Sequence, residues 1–450
     1  MTDTHLRKIS ATPCCVALTC CLIVGSALAN EKGVVDTTLA NGLTVLLLED
    51  HSDPLVSVWL DYRAGARQES PGKTGLAKVA LEVMKNGSLG YRRGEYSRLI
   101  HSGGGETESG AWHDGAFFAA RLPVRSLRDV LLMEADRMEY PNITPEAVER
   151  AKTVVALDRK ARLETDPYAP LVDELLRQMY TAHPYGRGAY GSPEDIASLR
   201  SDDVDEWLRT YYRPSNAVLT LVGDFKTKET LAMVDEIFGD IPDDKTPIPP
   251  VAPEPPQNGE RRATTPGHVR IPVFIVGFHT VSSSDEDLIP LQLLAKILIS
   301  EKSSLVYQRL VLESDVALST GGGHVDFFDS GLIYGYAFLN RGNSLSDAEA
   351  ALYEEIDRVK SGSFSDADLM IAKNQMQMQL LNQAAGSLPR AGNMSESRRV
   401  WGDGERWLKN IEAVQAVTVS QIQDVAQRYL RDGNRTVIYL EPGLTEERGQ

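Results

Sequence analysis

Residues 211–224 read YYRPSNAVLTLVGD, and residues 429–442 read YLRDGNRTVIYLEP. Each stretch runs from a tyrosine, through a turn that ends in asparagine, into a mainly apolar strand. The second copy begins 218 residues after the first, at Tyr429 compared with Tyr211. Repetition at a fixed offset predicts that one structural unit occurs twice in this chain.

Three further pairs of segments occur in the same order in both halves. Two of the pairs combine a turn with the start of a helix, and the third is a run of glycines. The pairs are residues 143–152 with 364–373, 196–208 with 414–426, and 102–105 with 320–323. One match could arise by chance, but four in the same order indicate a duplicated chain.

Strands and helices alternate within each half. Alternating or continuous apolar runs predict strands at residues 43–48, 56–62, 116–122, 272–279 and 332–339. Apolar positions at helical spacing predict helices at residues 75–85, 94–102, 126–138, 288–299 and 346–359. Hairpins followed by helices predict an α+β fold of two duplicated lobes, each an antiparallel-rich sheet with helices packed on one face.

The proline-rich segment 243–266 has no apolar periodicity, and prolines remove the backbone donors that a sheet or helix needs. We therefore interpret it as a linker between an N-terminal domain, residues 30–242, and a C-terminal domain, residues 267–444. Residues 445–450 form a tail.

Residues 1–29 have the pattern of an export signal. Arg7 and Lys8 precede an apolar run that ends in Ala27-Leu28-Ala29, the small residues that a signal peptidase needs. An uncleaved anchor is the alternative, although the run is shorter than the ~20 residues of a membrane span. All four cysteines lie in this leader, which excludes disulfides and thiolate sites from the rest of the chain. These features predict a periplasmic protein that leaves the membrane after signal cleavage.

The composition narrows the classes of partner. Apolar residues make up 42% and charged residues 24% of the 450, as in ordinary globular proteins, and the formal net charge is -16. Nucleic acids and anionic membrane surfaces attract basic patches, so neither is expected as a partner.

Several motifs resemble peptidase family M16, the family of pitrilysin, insulinase and the mitochondrial processing peptidase. The resemblance covers nearly the whole chain after the leader. The motifs are NGLTVLLLEDHSDPLVSVWLDYRAGARQESPGKTGLA (41–77), GEYSRLI (94–100), EADRM (134–138), AHPYG (182–186) and YYRPSNAVLTLVGD (211–224). The resemblance implies M16-type lobes, and a clam-shell of two lobes or two chains that encloses a peptide.

The family carries zinc on a helix with the motif H-x-x-E-H, in which two histidines bind the metal and the glutamate is the general base. Aligned without a gap, these three positions are Lys78, Leu81 and Glu82 in this chain. The alignment places the further glutamate ligand at Leu157. Lysine and leucine supply neither ligand nor base, so we predict no zinc, no other cofactor and no catalytic residue.

Two interpretations of this helix remain open. Lys78 and Glu82 are spaced for an ion pair that would fill the former metal position, or they lie on a solvated helix face. No two of the eight histidines are three or four residues apart, and only His101, His113 and Glu106 are close enough in sequence to suggest a rebuilt metal site.

The family also uses an arginine and a tyrosine in the second half to hold the substrate backbone. The matching positions are Val311 and Leu318 here, and the nearby Arg309 has no tyrosine at the required spacing. This resemblance therefore implies that the chain contributes neither part of the catalytic site.

Peptide binding is the family property that this sequence retains. Members add the peptide as a strand to a sheet edge beside a glycine-rich turn, which corresponds here to Gly103, Gly104, Gly105, Glu106 and Thr107. A flexible hairpin turn is the alternative interpretation of the same residues.

We expect one of three functions. The first is a non-catalytic subunit that binds peptides with a catalytic M16 partner as a heterodimer, or with itself as a homodimer. The second is a stand-alone peptide- or protein-binding scaffold. The third is a peptidase with a rebuilt metal site.

Overall fold

The computed structural model describes residues 33–243, 245–267 and 269–442. The predicted export signal and C-terminal tail lie outside the described residues. Within these ranges, no helix combines the length and the apolar character that crossing a bilayer requires.

The first half contains six strands and eight α-helices among the described residues. In chain order they are β1 (Val34–Thr38), β2 (Thr44–Glu49), β3 (Leu55–Tyr62), α1 (Leu76–Lys85), α2 (Glu95–Ser102), β4 (Glu106–Ala111), β5 (Ala116–Pro123), α3 (Leu127–Glu139), α4 (Pro145–Thr165), α5 (Ala169–Met179), α6 (Pro193–Ser198), α7 (Ser201–Tyr211), β6 (Ala217–Gly223) and α8 (Thr227–Phe238).

The second half repeats this order in the part of the chain that the structure describes. Its elements are β7 (Arg261–Gly267), β8 (Val273–His279), α9 (Leu288–Ala295), α10 (Leu305–Tyr307), β9 (Ala317–Val325), β10 (Leu332–Leu339), α11 (Leu345–Lys360), α12 (Asp366–Ala384), α13 (Ser387–Trp401), α14 (Arg406–Ala416), α15 (Val419–Tyr429) and β11 (Arg435–Pro442). π-Helical turns extend α9 through Lys296–Ser300 and α10 through Gln308–Glu313.

The second sheet has the topology of the first without β1. The strand order is β1-β2-β6-β3-β5-β4 in the first and β7-β11-β8-β10-β9 in the second. In each sheet one neighbouring pair is parallel, β2 with β6 and β7 with β11, and the other pairs are antiparallel. The predicted α+β fold of two duplicated, antiparallel-rich lobes is therefore confirmed.

The glycine match is an exception among the four repeats. Residues 103–105 lie in the turn between α2 and β4, whereas residues 321–323 lie inside strand β9. Because the two glycine runs occupy different places in equivalent sheets, this similarity does not arise from the duplication. The other three matches occupy equivalent elements.

The segment predicted as a linker is more ordered than its prolines suggested. Residues 245–260 form no helix or strand, but β7 begins at Arg261, so the second sheet starts inside the predicted linker. The carboxylate of Glu254 also accepts hydrogen bonds from the backbone N–H groups of residues 181–183, at 2.9–3.0 Å. The segment is thereby anchored to the first half.

Helices cover both faces of each sheet, which extends the prediction of helices on one face. Alternate residues of β3, such as Val58 and Leu60, are buried against helices of the same half. The opposite face of the first sheet packs on α13 and α14, through Met394 and Trp407. Reciprocally, Leu175 on α5 packs against the second sheet. Each half therefore completes the core of the other.

A polar network joins the two halves beside these helices. Asp329, in the loop between β9 and β10, accepts hydrogen bonds from Arg67 and from His183 Nε2, the latter at 2.8 Å. Asp114 of the first half accepts from Tyr185 Oη at 2.5 Å and from the Phe328 N–H at 3.1 Å. Buried polar groups that lack a hydrogen-bond partner cost free energy. Because the polar groups of this network are paired, the loop can be buried without that cost.

Exchange of Leu175 for alanine tests the reciprocal packing. Leu175 is 1% exposed and its removal leaves a cavity between α5 and the second sheet, so we expect the free energy of unfolding to fall by about 2–5 kcal/mol. Urea unfolding followed by circular dichroism measures the change. Leu132→Ala, at a side chain that is 40% exposed, is the matched control and should change stability by less than ~0.5 kcal/mol. Equal effects of the two variants would contradict the packing described.

Candidate functional site

Helix α1 carries the positions of the family's metal motif. It begins after Gly75, whose φ of +88° places it in the left-handed region that favours glycine. The buried carboxylate of Glu69 accepts hydrogen bonds from the N–H groups of Gly75, at 3.0 Å, and Ala77, at 2.8 Å. A side chain from outside the helix therefore caps the N-terminus of α1 and fixes its direction.

Lys78, at the first ligand position, is held between α1 and the edge of the first sheet. Its Nζ donates a hydrogen bond to the backbone oxygen of Ala111 at 3.1 Å and lies 4.3 Å from the centroid of the Tyr190 ring. Burial lowers the pKa of Lys78, whereas the carboxylates of Asp158, Glu69 and Glu82 act in the opposite direction. The ammonium group is thus accommodated by a carbonyl, an aromatic face and nearby negative charge.

The predicted ion pair between Lys78 and Glu82 is wrong. Glu82 instead accepts a hydrogen bond from Lys85 at 2.6 Å, one turn further along α1. A lysine that precedes its glutamate by four residues is in the less favourable order, and the long stem of Lys78 reaches a carbonyl and a ring instead. Because Lys78 is engaged in this way, a fully solvated helix face does not describe it either.

The residue aligned with the fourth ligand position, Leu157, lies on α4. Leu157 on α4 is 60% exposed, whereas Val155 faces the core of the first half. Residues 151, 155 and 158 follow helical spacing along α4, and Asp158 is the carboxylate that acts most strongly on Lys78. Asp158, which is exposed like Leu157, is therefore the residue of α4 whose charge acts on Lys78.

The residues at this position do not fit a zinc ion. An ammonium group has no lone pair to donate, and Leu81, at the position of the general base, is an apolar side chain that is 5% exposed. Among the described residues, no three His, Cys, Asp or Glu side chains are grouped so that they could hold a metal ion.

The alternative site at His101, His113 and Glu106 is not formed. His101 is exposed on the last turn of α2, and Glu106 is exposed at the start of β4. The ring of His113 instead packs on Phe327 of the second half, with 4.8 Å between centroids, and burial lowers the pKa of His113 to about 4. His113 therefore serves the contact between the halves.

Strand β4 is a free edge of the first sheet. The Trp112 N–H donates to the Gly115 oxygen at 3.0 Å, and the antiparallel register then directs the backbone groups of residues 106, 108 and 110 toward β5. Those of Thr107, Ser109 and Ala111 point away from the sheet. Such outward N–H and C=O groups can pair with an added strand.

Only part of the predicted peptide-binding segment lies on this edge. Gly103 ends α2, Gly104 makes the turn with a φ of +87°, and the Gly105 N–H already donates to Ile100 at 2.9 Å. Of the five predicted residues, Glu106 and Thr107 belong to β4, and Thr107 alone directs its backbone outward. The sequence analysis missed Ser109 and Ala111, because the alternation along an edge depends on the register with β5.

The metal position and the free edge are in direct contact. The oxygen that Lys78 binds is the outward carbonyl of Ala111, the last residue of β4. An added strand finds this carbonyl already hydrogen-bonded, while Thr107 and Ser109 carry the rest of the outward edge.

The matching positions of the second half lie apart from this site. Val311 belongs to the π-helical turn after α10 and packs on the second core, and Leu318 is 53% exposed on β9. Arg309 directs its guanidinium to Glu354 on α11, with 3.3 Å between Nη2 and Oε2. None of the three contributes a donor to the first half.

Two family models match this chain in succession. Residues 44–192 match the one described as "Insulinase (Peptidase family M16)", and residues 198–376 match the "Peptidase M16 inactive domain". The chain belongs to peptidase family M16. The second match begins before β6 of the first sheet and ends within α12, so the bounds of the matches differ from those of the two lobes.

Curated M16 relatives match over most of their length. The Zinc protease PqqE of Helicobacter pylori is 24% identical over 412 residues, which cover 90% of this chain and 92% of that protein. A probable mitochondrial-processing peptidase subunit beta of Arabidopsis thaliana is 23% identical over 90% of this chain and 78% of its own length.

Solved structures of bacterial proteases share the fold. A protease from Helicobacter pylori superposes with a TM-score of 0.87 at 22% identity, covering 91% of this chain and all of that chain. The periplasmic protease PqqL from Escherichia coli gives a TM-score of 0.74 at 17% identity, covering 92% of this chain but 48% of PqqL. The M16 fold of this chain thus corresponds in size to about half of PqqL.

Reintroducing histidines tests which residue of α4 faces the former metal position. We expect Lys78→His/Glu82→His to bind zinc, because two histidines four residues apart on one helical face would join Asp158. Adding Asp158→Ala should weaken zinc affinity by roughly tenfold or more, since a ligand is lost. Adding Leu157→Ala is the matched control and should have little effect. Isothermal titration calorimetry measures the affinities, and the reverse ranking would restore Leu157 to the site.

The cap of α1 predicts a pH dependence of stability. Burial raises the pKa of Glu69 from 4.5 to about 8, so the unfolded chain ionises first and stability is lost as the pH rises through this window. The Glu69→Gln variant lacks this loss, although its single acceptor oxygen makes it less stable at low pH. The wild type should therefore exceed Glu69→Gln in free energy of unfolding at pH 4.5, and this difference should shrink by on the order of 3 kcal/mol between pH 4.5 and 8.

Urea midpoints across this pH range give the comparison. Glu164→Gln, at a side chain that is 65% exposed, is the control and should keep the wild-type slope. A Glu69→Gln slope equal to that of the wild type would refute the role of the buried carboxylate.

Proposed function

We propose that this chain is an exported, non-catalytic M16 subunit that binds peptides together with a separate catalytic M16 chain. The observation that carries the proposal is the chemistry of α1. A lysine stands at the first metal position, hydrogen-bonded to Ala111 at 3.1 Å, and a buried leucine stands at the position of the base. Since water activation in this family needs a metal and a base, no hydrolytic step is derived for these residues.

The need for a second chain is supported by size. This chain matches 48% of PqqL, so a protein of that length has room for two such units. The mitochondrial-processing peptidase relative is named as a subunit. We infer that a catalytic M16 chain faces this one to form the heterodimer, with a homodimer as the alternative.

The peptide would bind along β4. Thr107 and Ser109 direct backbone N–H and C=O groups away from the sheet, and backbone pairing requires little side-chain identity. In this proposal the chain holds one side of the peptide while the partner carries out hydrolysis. A periplasmic location is part of the proposal, supported by the signal-like leader and by the periplasmic origin of PqqL.

A stand-alone binding scaffold is the second candidate. The observation that favours it is the free β4 edge, which is complete within one chain and does not require a partner to present it. The two candidates differ in whether a catalytic M16 chain accompanies this one.

Purification of the tagged, full-length protein from its native cell envelope distinguishes them. We expect an equimolar second chain that carries an intact H-x-x-E-H motif, and peptide cleavage that is lost with a chelator and restored with zinc. The protein alone should cleave none of the same peptides. Recovery of the chain by itself, with peptide binding intact, would favour the scaffold. Chelator-sensitive cleavage by the isolated chain would contradict the non-catalytic assignment.

Replacing Ser109 with proline tests the edge within the complex. Proline removes the outward N–H and adds a ring where the peptide strand would lie, but it leaves the β4–β5 hydrogen bonds in place. We expect peptide affinity to fall about tenfold or more, with normal assembly of the two chains. Ser109→Ala is the control and should retain peptide binding. A proline elsewhere, such as Thr165→Pro at the end of α4 and away from β4, is unsuitable as a control because it breaks a helix.

A further inference from the structure

An open trough lies on the face of the first sheet opposite to α1. Helix α13 covers β3 and β6 but stops short of the free edge at β4. Between them, the small residues Ala119 and Gly110 occupy the rows next to Trp59 and Phe117. The resulting cavity, about 590 Å³, is large enough for a side chain or a small organic molecule.

The walls of this trough are aromatic and acidic. Trp59, which stacks on Phe117 at 4.3 Å between centroids, and Trp112 supply the aromatic walls. The charged residues that line the trough are Asp61, Glu108, Glu396 and Arg399. Three carboxylates therefore face one guanidinium, which leaves an excess of negative charge beside indole rings.

Asp61 is the feature that points to a ligand. It is 3% exposed, and its Oδ1 atom has no hydrogen-bond partner among the described residues. Its other oxygen accepts only a 3.3 Å hydrogen bond from Ser395 and lies 3.5 Å from Arg399 Nε, which itself lacks a hydrogen bond. A buried carboxylate that is so incompletely paired is costly in the absence of a donor.

Arg399 does not satisfy Asp61 because its guanidinium is shared. Nη1 donates to the backbone oxygen of Asp114 at 3.4 Å, and Nη2 lies 3.7 Å from Glu396. The guanidinium is also 5.9 Å from the centroid of the Trp112 ring. These contacts occupy both terminal nitrogens of Arg399, and the buried Oδ1 atom of Asp61, a residue that lines the trough, remains without a hydrogen-bond partner among the described residues.

We propose that this trough is a binding site for an organic cation, a guanidinium or primary ammonium group that donates to Asp61 and is flanked by Glu108 and the indole rings. Charge-assisted hydrogen bonds to a carboxylate and contact with an aromatic face are the interactions that such cations favour. The cation could belong to a lysine or arginine side chain of a bound peptide or to a free amine. The site lies within one chain and does not depend on the catalytic partner proposed above.

A pH dependence follows from the surroundings of Asp61. Burial raises the pKa of Asp61 to about 6, and Glu396 adds to this effect while Arg399 and Arg63 oppose it. A cation binds the ionised carboxylate, so affinity should fall about tenfold from pH 7.5 to pH 5, as the carboxylate becomes protonated.

Calorimetric titration of the full-length chain after signal removal tests the site, with butylguanidine as the cation and butylurea as its neutral isostere. We expect butylguanidine to bind and butylurea not to bind. Asp61→Asn should abolish the binding and its pH dependence. Because a buried substitution can impair folding, Glu108→Gln at the exposed rim is the second variant, and it should weaken affinity several-fold. Glu229→Gln, on α8, is the matched surface control and should leave affinity unchanged.

A pair of short peptides distinguishes the source of the cation. Tighter binding of acetyl-Ala-Arg-Ala-amide than of butylguanidine, with no binding of the citrulline analogue, would identify a peptide side chain. Binding of butylguanidine without the arginine peptide would identify a free amine. Equal binding of cation and isostere, or no effect of Asp61→Asn and Glu108→Gln, would overturn the proposal. These outcomes do not bear on the purification of the protein with a catalytic M16 chain, since that experiment depends on α1 and on a second chain.

Discussion

Each sheet of this protein has a face that the helices of its own half leave uncovered, and that face is buried by a helix from the other half. Met394 on α13 and Trp407 on α14 cover the first sheet, and Leu175 on α5 covers the second. Exposed in water, either face would be a large apolar surface, so neither half can reach its minimum free energy alone. The duplication thus became a single structure through exchange of helices.

This exchange also creates the surfaces on which function depends. Because α13 packs mainly on β6 and β3, the trough beside Asp61 remains open next to β4, the strand that ends the first sheet. The loop between β9 and β10 enters the first half and pairs Asp329 with Arg67 and His183. The relative position of the halves therefore sets both the edge and the trough.

Electrostatics explains how a lysine is accommodated at this position of α1. Lys78 brings an ammonium group to a largely buried place, where the negative charge of Asp158 opposes the effect of burial on the pKa of Lys78. The carbonyl of Ala111 and the ring of Tyr190 supply the remaining contacts. These contacts hold Lys78 of α1 against the edge of the first sheet.

Local patterns in the sequence were sufficient for most of the fold. The predicted strand at 332–339 coincides with β10, and the helix predicted at 75–85 differs from α1 by one residue, because apolar periodicity and capping are local properties. The repeats separated by 218 residues were sufficient to predict the two lobes. Long-range strand pairing could not be predicted from local patterns. The sequence places β7 in a linker, because this strand forms only by pairing in parallel with β11, which lies far away in the chain.

The same distinction applies to the sites. The identities of Lys78, Leu81 and Glu82 follow from the sequence alone, and so does the mismatch with zinc chemistry, since a side chain's ligand atoms do not depend on the fold. The partners of Lys78, the outward direction of Thr107 and Ser109, and the unpaired oxygen of Asp61 were decided only by the tertiary structure. Each of these depends on which groups from distant segments meet, and contacts of that kind are set by packing rather than by local spacing.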